Sequence, residues 1–223
     1  MPRTAKPEEK RERMALIVRA AARVFRSDGF HKASLADIAA SLNMTKGGLY
    51  YYVNAKEDLL FACHRLAMEL VLPGLERIAH DIDLAPDEKV RQAVANHVAV
   101  LSDEFNLVTV LLQQEYALPD QSRARIARLR NRYDALMTSI LNEGKRRGMF
   151  RRDLDVKIAT YALLGSLNWI PHWYHKGGRL DISEIGKEFS SYFLAGIMSA
   201  APEASARRVP RIKKRVKRPS GSR

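Results

Sequence analysis

The residues from Thr45 to Tyr52 are chemically suited to holding a polyanion rather than to breaking bonds in it. Thr45 supplies a hydroxyl, Lys46 a cation, Gly47 and Gly48 an uncovered backbone, and Tyr50 and Tyr52 phenol groups. Donors of these kinds are what phosphate oxygens and base edges in a DNA groove accept from. The two glycines each cost a helix roughly 1 kcal/mol relative to alanine, so their place at a helix start calls for a close backbone approach to a partner. The competing view, that they only mark a turn beside ordinary aromatics, does not account for the run as a whole. Catalysis leaves no comparable trace: no nucleophile with its base, no metal cluster and no phosphate loop stands at a recognisable spacing. His172 and His175 lie three apart near a helix end, but no third metal ligand accompanies them. No enzyme activity, metal or cofactor is expected.

Two short helices must present the Thr45–Tyr52 run. Ser34 is placed to cap the first, about Leu35 to Ser41, with Asp37 at its positive end. Thr45 caps the second, which runs to about Tyr52 or Val53. Ile38, Ala39, Leu42 and Leu49 have the spacing to pack the pair together, which turns Lys46, Gly48, Tyr50 and Tyr52 outward. This is a helix-turn-helix. Ahead of it, Met14, Ile17, Ala21, Val24 and Phe25 form the apolar stripe of a helix stopped near Gly29. After it, the Lys56-Glu57-Asp58 start signal opens a long helix that Pro73 should kink or end. Further amphipathic helices are predicted at about 87–102, 107–117, 121–147, 155–173 and 183–198, so the fold class is all-α, with the helix-turn-helix in an N-terminal three-helix bundle and a larger helical domain behind it. The predicted domains are 1–56 for DNA binding, 57–204 for the larger helical part, which exceeds what DNA binding needs, and a disordered basic tail at 205–223.

Composition agrees. The 223 residues are 46% hydrophobic and 28% charged, which suits a folded chain. No stretch reaches the roughly 18 consecutive apolar residues of a membrane helix, and the charged first residues show no signal peptide. A cytoplasmic location without a membrane partner is expected. Cys63 is the only cysteine, so an intramolecular disulfide is excluded. The net charge is +13, of which nine positive charges fall from Arg207 onward with no acid among them, leaving +4 for the first 206 residues. That tail either adds non-specific DNA affinity by releasing counterions or keeps the chain soluble.

The N-terminal run resembles the TetR family of transcriptional regulators. The similarity lies in Ser34-Leu35-Ala36-Asp37-Ile38-Ala39, in Met44-Thr45-Lys46-Gly47-Gly48-Leu49-Tyr50-Tyr51-Tyr52-Val53 and in Lys56-Glu57-Asp58-Leu59-Leu60. It implies that Thr45, Tyr50 and Lys56 hold phosphates while Lys46, Gly48 and Tyr52 lie nearest the bases. The DNA-binding set is therefore Ser34, Thr45, Lys46, Gly47, Gly48, Tyr50, Tyr52 and Lys56. Val53 and Ala55 depart from the commoner Phe and Ser or Asn, and Gly48 from a hydroxyl residue. The resemblance further implies a homodimer on a near-palindromic double-stranded operator, with repression relieved by a small-molecule effector. A non-specific nucleoid protein is the rival reading; it needs neither a preferred operator nor a hollow second domain.

For the larger half, 57–204, the resemblance implies a ligand-binding and dimerisation domain, and its sequence is read less sharply. Ala159, Ala162, Leu163, Ser166 and Leu167, with Ile185, Phe189, Phe193, Gly196 and Ile197, mix small and large apolar residues that suit equally a core within the chain or a four-helix interface between two subunits, and the family resemblance implies the interface. The stretch Gly165-Ser166-Leu167-Asn168-Trp169, continuing to Gly177-Gly178-Arg179-Leu180, resembles a TetR subgroup whose effectors are acyl-coenzyme A thioesters. The expected ligand contacts are Leu111, Tyr116, Met137, Leu141, Asn168, Trp169, His172, Trp173 and Arg179. Arg130, Arg146, Arg147 and Arg179 are the cations available to the coenzyme's phosphates.

Overall fold

A computed structural model describes residues 7–113 and 115–199. Nine α-helices account for most of them: α1 Pro7–Asp28, α2 Leu35–Ser41, α3 Lys46–Tyr50, α4 Lys56–His80, α5 Pro86–Asp103, α6 Phe105–Gln113, α7 Asp120–Arg146, α8 Val156–Trp169 and α9 Ile182–Ile197. Short 3-10 turns follow α6 and α8. The all-α expectation holds, and every predicted helix is present to within a few residues. The expected basic tail lies outside the described residues.

The sequence dictates the helix ends. Gly29 takes the left-handed conformation, φ 77°, that terminates α1. Ser34 caps α2 reciprocally: its hydroxyl accepts from the Asp37 amide at 3.2 Å, and the Asp37 carboxylate accepts from the Ser34 amide at 2.9 Å. The Ser34 hydroxyl also donates to the Asp37 carboxylate at 2.6 Å, and this bond first, then the one from the Ser34 amide, holds the Asp37 carboxyl below its usual range. Replacing Ser34 with alanine should lower the melting temperature by about 3 °C, measured by circular dichroism. Pro73 does not end α4, which runs on to His80. Beside it Gly74 lets α5 come close, for a Cβ there would sit 1.9 Å from Asn96 Oδ1, and the Asn96 amide donates to the Val71 carbonyl at 2.9 Å.

Two apolar clusters organise the molecule. The first joins α1, α2 and α3 around Ile17, Phe25, Ile38 and Leu49. It also takes in Leu59, Leu60 and Cys63 of α4, Leu107 and Val110 of α6, and Leu118 and Ile126. The second fills the body between the far half of α4 and α5, α7, α8 and α9. The expected boundary at 56 thus falls at the first residue of a helix that serves both clusters. Polar contacts cross the same seam: Arg19 pairs with Glu104 at 2.5 Å and Arg26 donates to Asn106 at 3.1 Å. The end of α9 is fastened to the α7–α8 loop by backbone bonds between Arg151 and Ile197 and between Ser199 and Met149, each 2.9 Å.

Candidate nucleic-acid interface and ligand cavity

The helix-turn-helix is built as its residues require. The turn between α2 and α3 passes through Asn43, the one non-glycine residue with positive φ, 52°, among those described. Thr45 then caps α3, its hydroxyl accepting from the Gly48 amide at 3.1 Å. Leu49 is wholly buried and anchors α3, while Lys46, Gly47 and Tyr50 are exposed and Gly48 is half-exposed. The Lys46 ammonium lies 5.8 Å from the centre of the Tyr50 ring. A Cβ on Gly47 would meet nothing within 4 Å, so no packing inside this chain demands glycine there. Tyr52, expected to face the bases, is half-buried against the head's core and meets Tyr51 edge to face. Tyr51 is the more exposed ring, with Lys10 over it at 5.1 Å.

Lys56 has a position its sequence did not suggest. Its ammonium donates to the carbonyls of Phe30, His31 and Ala33 at 3.0, 3.1 and 3.3 Å, and lies over the Phe30 ring. A lysine has three N–H donors, and all three are used within the chain. The N-terminus of α4, lacking a side-chain cap at Ala55, is closed instead by the Asp58 carboxylate, which accepts from the Ala55 amide at 3.1 Å.

A cavity of about 370 Å³ lies in the body. Ala67, Met68 and Val71 of α4, Val100 of α5, Val108 and Leu112 of α6 and Leu164 of α8 give it an apolar wall. Exposed Asn131 of α7 and Tyr161 and Gly165 of α8 mark its mouth, with Arg130, Asp134 and Asn168 beside them. Deeper in, His97 of α5 and Tyr133 of α7 are hydrogen-bonded at 2.9 Å. Burial holds the His97 imidazole down to about 4, neutral at ordinary pH, and pushes the Tyr133 hydroxyl above the usual tyrosine range. Desolvation raises the Asp134 carboxyl, against the opposing pull of Arg130. Further along α4, His64 is completely buried, and neither of its ring nitrogens has a hydrogen-bond partner among the described residues.

Of the expected ligand contacts whose side chains are described, Asn168 alone lines this cavity. Met137 and Leu141 are buried in the body's core, and Tyr116 stands 65% exposed beside His31 at the seam with the head. Trp169 is 60% exposed and stacks on His172 at 3.9 Å, pointing the pair away from the interior. Trp173 and Arg179 line a separate groove of about 280 Å³ with Phe189 and Tyr192. The Leu111 side chain lies outside the described residues. Arg146 and Arg147 sit about 24 Å along α7 from Arg130, too far to act with it on one small group. Sequence reasoning missed His97 and Tyr133, although a signal existed: His97 interrupts the apolar stripe Val90, Ala93, Val94, Leu101 on α5.

A helix-turn-helix head joined through shared helices to a hollow helical body defines a class, the ligand-responsive DNA-binding regulators. Residues 17–63 match the family model for bacterial regulatory proteins of the tetR family, and residues 83–197 match the tetracyclin repressor-like C-terminal domain. The chain belongs to the TetR family of transcriptional regulators. It is 24% identical over 193 residues to the fatty acid metabolism regulator protein of Bacillus subtilis, covering 85% of this chain and 98% of that one. It is 25% identical over 202 residues to the transcriptional repressor KstR2 of Mycolicibacterium smegmatis, covering 90% and 98%. Among solved structures, AibR in complex with isovaleryl coenzyme A and operator DNA superposes with a TM-score of 0.72 at 27% identity, covering 81% of this chain and 97% of AibR.

Proposed function

We propose that this regulator is a cytoplasmic, non-enzymatic repressor that grips a near-palindromic operator as a homodimer and lets go when an acyl-coenzyme A thioester occupies its cavity. The observation that carries this reading is the cavity wall itself. Val108 and Leu112 of α6 face the cavity, while Leu107 and Val110 of the same helix are buried in the head's core. α4 is divided likewise, with Met68 and Val71 on the cavity and Leu59, Leu60 and Cys63 in the head. A ligand that displaces either helix must therefore disturb the head, and a coupling of about 1–3 kcal/mol is typical of such linkage. A nucleoid protein has no use for this arrangement.

The thioester reading is supported by size and by relatives. At the ~30 Å³ a water molecule occupies, the cavity has room for roughly a dozen heavy atoms, which suits an acyl group but not coenzyme A. The coenzyme would remain at the mouth near Arg130, with the acyl group inside. One relative is named for fatty acid metabolism, and the AibR structure holds isovaleryl coenzyme A. The dimer is supported by what α8 and α9 leave uncovered. Leu163, Leu167, Ile185 and Ile197 are spent on the chain's own core, yet Ile158, Trp169 and Tyr192 are more than half exposed, with Ala162 and Gly196 open beside them. Apolar surface of that extent on two adjacent helices fits a partner subunit.

Sequence selection from random DNA, followed by mobility shifts with added acyl-coenzyme A, tests the reading. A two-fold motif released by a thioester is the expected result, and binding without sequence preference would refute it. On the selected operator, Lys46→Ala should weaken binding by about 1–2 kcal/mol and relax preference at one base pair per half-site. Equal weakening on random DNA would leave Lys46 no part in base reading.

A further inference from the structure

The cavity is apolar along α4, α6 and α8, yet a histidine and a tyrosine face it from α5 and α7. His97 is half-buried and lines the cavity, so part of its surface stays accessible from inside it. Its Nδ1 and the Tyr133 hydroxyl are 2.9 Å apart. Because the imidazole is neutral, the bond between them runs in one of two ways. If the tyrosine donates, Nε2–H remains as a donor and the phenolic oxygen can still accept. If the histidine donates, the tyrosine O–H remains as a donor and Nε2 as an acceptor. In both cases the pair offers one further donor and one further acceptor.

We propose that the effector's acyl group carries an uncharged oxygen, a ketone or hydroxyl remote from the thioester, and that the His97–Tyr133 pair binds it. This rests on the thioester reading above and adds the class of acyl group. A saturated chain lying against the pair would strip water from a donor and an acceptor and return nothing, which is how a polar site rejects an analogue lacking its hydrogen-bonding group. A carboxylate is disfavoured for a different reason: the neutral imidazole and phenol provide no cation for it, and Arg130, which lines the same cavity, stands beside Asp134 at the mouth, where the coenzyme's phosphates would engage it.

Calorimetric titration of the full chain with matched thioesters, butyryl to dodecanoyl coenzyme A, each with and without an oxo group near the far end, decides the matter. The best oxo compound should bind at least about tenfold tighter than its saturated partner. In Tyr133→Phe that preference should fall to near unity with affinity for the saturated compound kept. His97→Leu, which removes the imidazole's donor and acceptor, should also lower the preference and serves if Tyr133→Phe does not fold. Equal or tighter binding of the saturated compounds overturns this inference and leaves the thioester reading standing. So does an oxo preference that survives Tyr133→Phe. Binding of neither series overturns both.

Discussion

Lys56→Met should destabilise the protein by about 3 kcal/mol and weaken operator binding while leaving the salt dependence of binding unchanged. The ammonium donates to the Phe30, His31 and Ala33 carbonyls at once, and it stands where α1 ends and its dipole is negative. Removing it strands charge-assisted bonds worth more than neutral ones and frees the corner that carries the Ser34 cap. The helix-turn-helix then loses its fixed angle to α1 and α4. A phosphate contact behaves differently: its loss reduces the slope of log K against log salt by about 0.9 and costs the fold little. Urea unfolding together with binding measured from low to moderate salt separates the two roles. A flattened slope with intact stability would return Lys56 to the phosphate-holding role that the family resemblance implies.

His64 gives the second large effect, and it is a dependence on acid. Burial, aided by the positive charge of Arg130, holds the imidazole down to about 4 from an ordinary 6.5. The unfolded chain therefore binds a proton at this residue between pH 6.5 and 4 while the folded chain does not. Stability is undiminished above pH 6.5, falls as the pH drops through that window, and levels off near pH 4, with a total loss of about 3 kcal/mol. His64→Leu should remove that share of the acid loss. It should also raise stability at neutral pH by about 1–3 kcal/mol, because two buried ring nitrogens without partners are replaced by methyl groups of similar bulk. Thermal unfolding of both proteins from pH 4 to 8 checks each point; a variant no more stable than the parent at pH 7 would mean that His64 has a partner.

What was legible in the sequence follows from the range of the forces involved. Helix periodicity, the Ser34 and Thr45 caps and Gly29 are local, and each was readable because it depends on residues within a turn or two. The exposure of Lys46 and Tyr50 followed from the burial of Leu49 in the same short helix. The role of Lys56 was not readable, since its carbonyl partners lie 23 to 26 residues earlier and carbonyls leave no mark in a sequence. The lining of the cavity was hard to read for a related reason. Trp169 and His172 look like ligand contacts by type, but they stand outward at the end of α8 and in the turn after it, and which face of α8 meets α7 is decided by packing. His97 and Tyr133 stand 36 residues apart and become a pair only when α5 and α7 cross.

The sharing of α4 and α6 between head and body also sets a rule for anyone who would transplant the DNA-reading part. A graft cut at residue 56 would carry away α1 to α3 and abandon Leu59, Leu60, Leu107, Val110 and Ile126, on which their core closes. The donor's residues would then meet a foreign α6, and the Arg19–Glu104 and Arg26–Asn106 contacts would lose one side each. A working chimera must bring the matching faces of α4 and α6 along, so new operator specificity is more simply sought by changing the exposed residues of α3 in place.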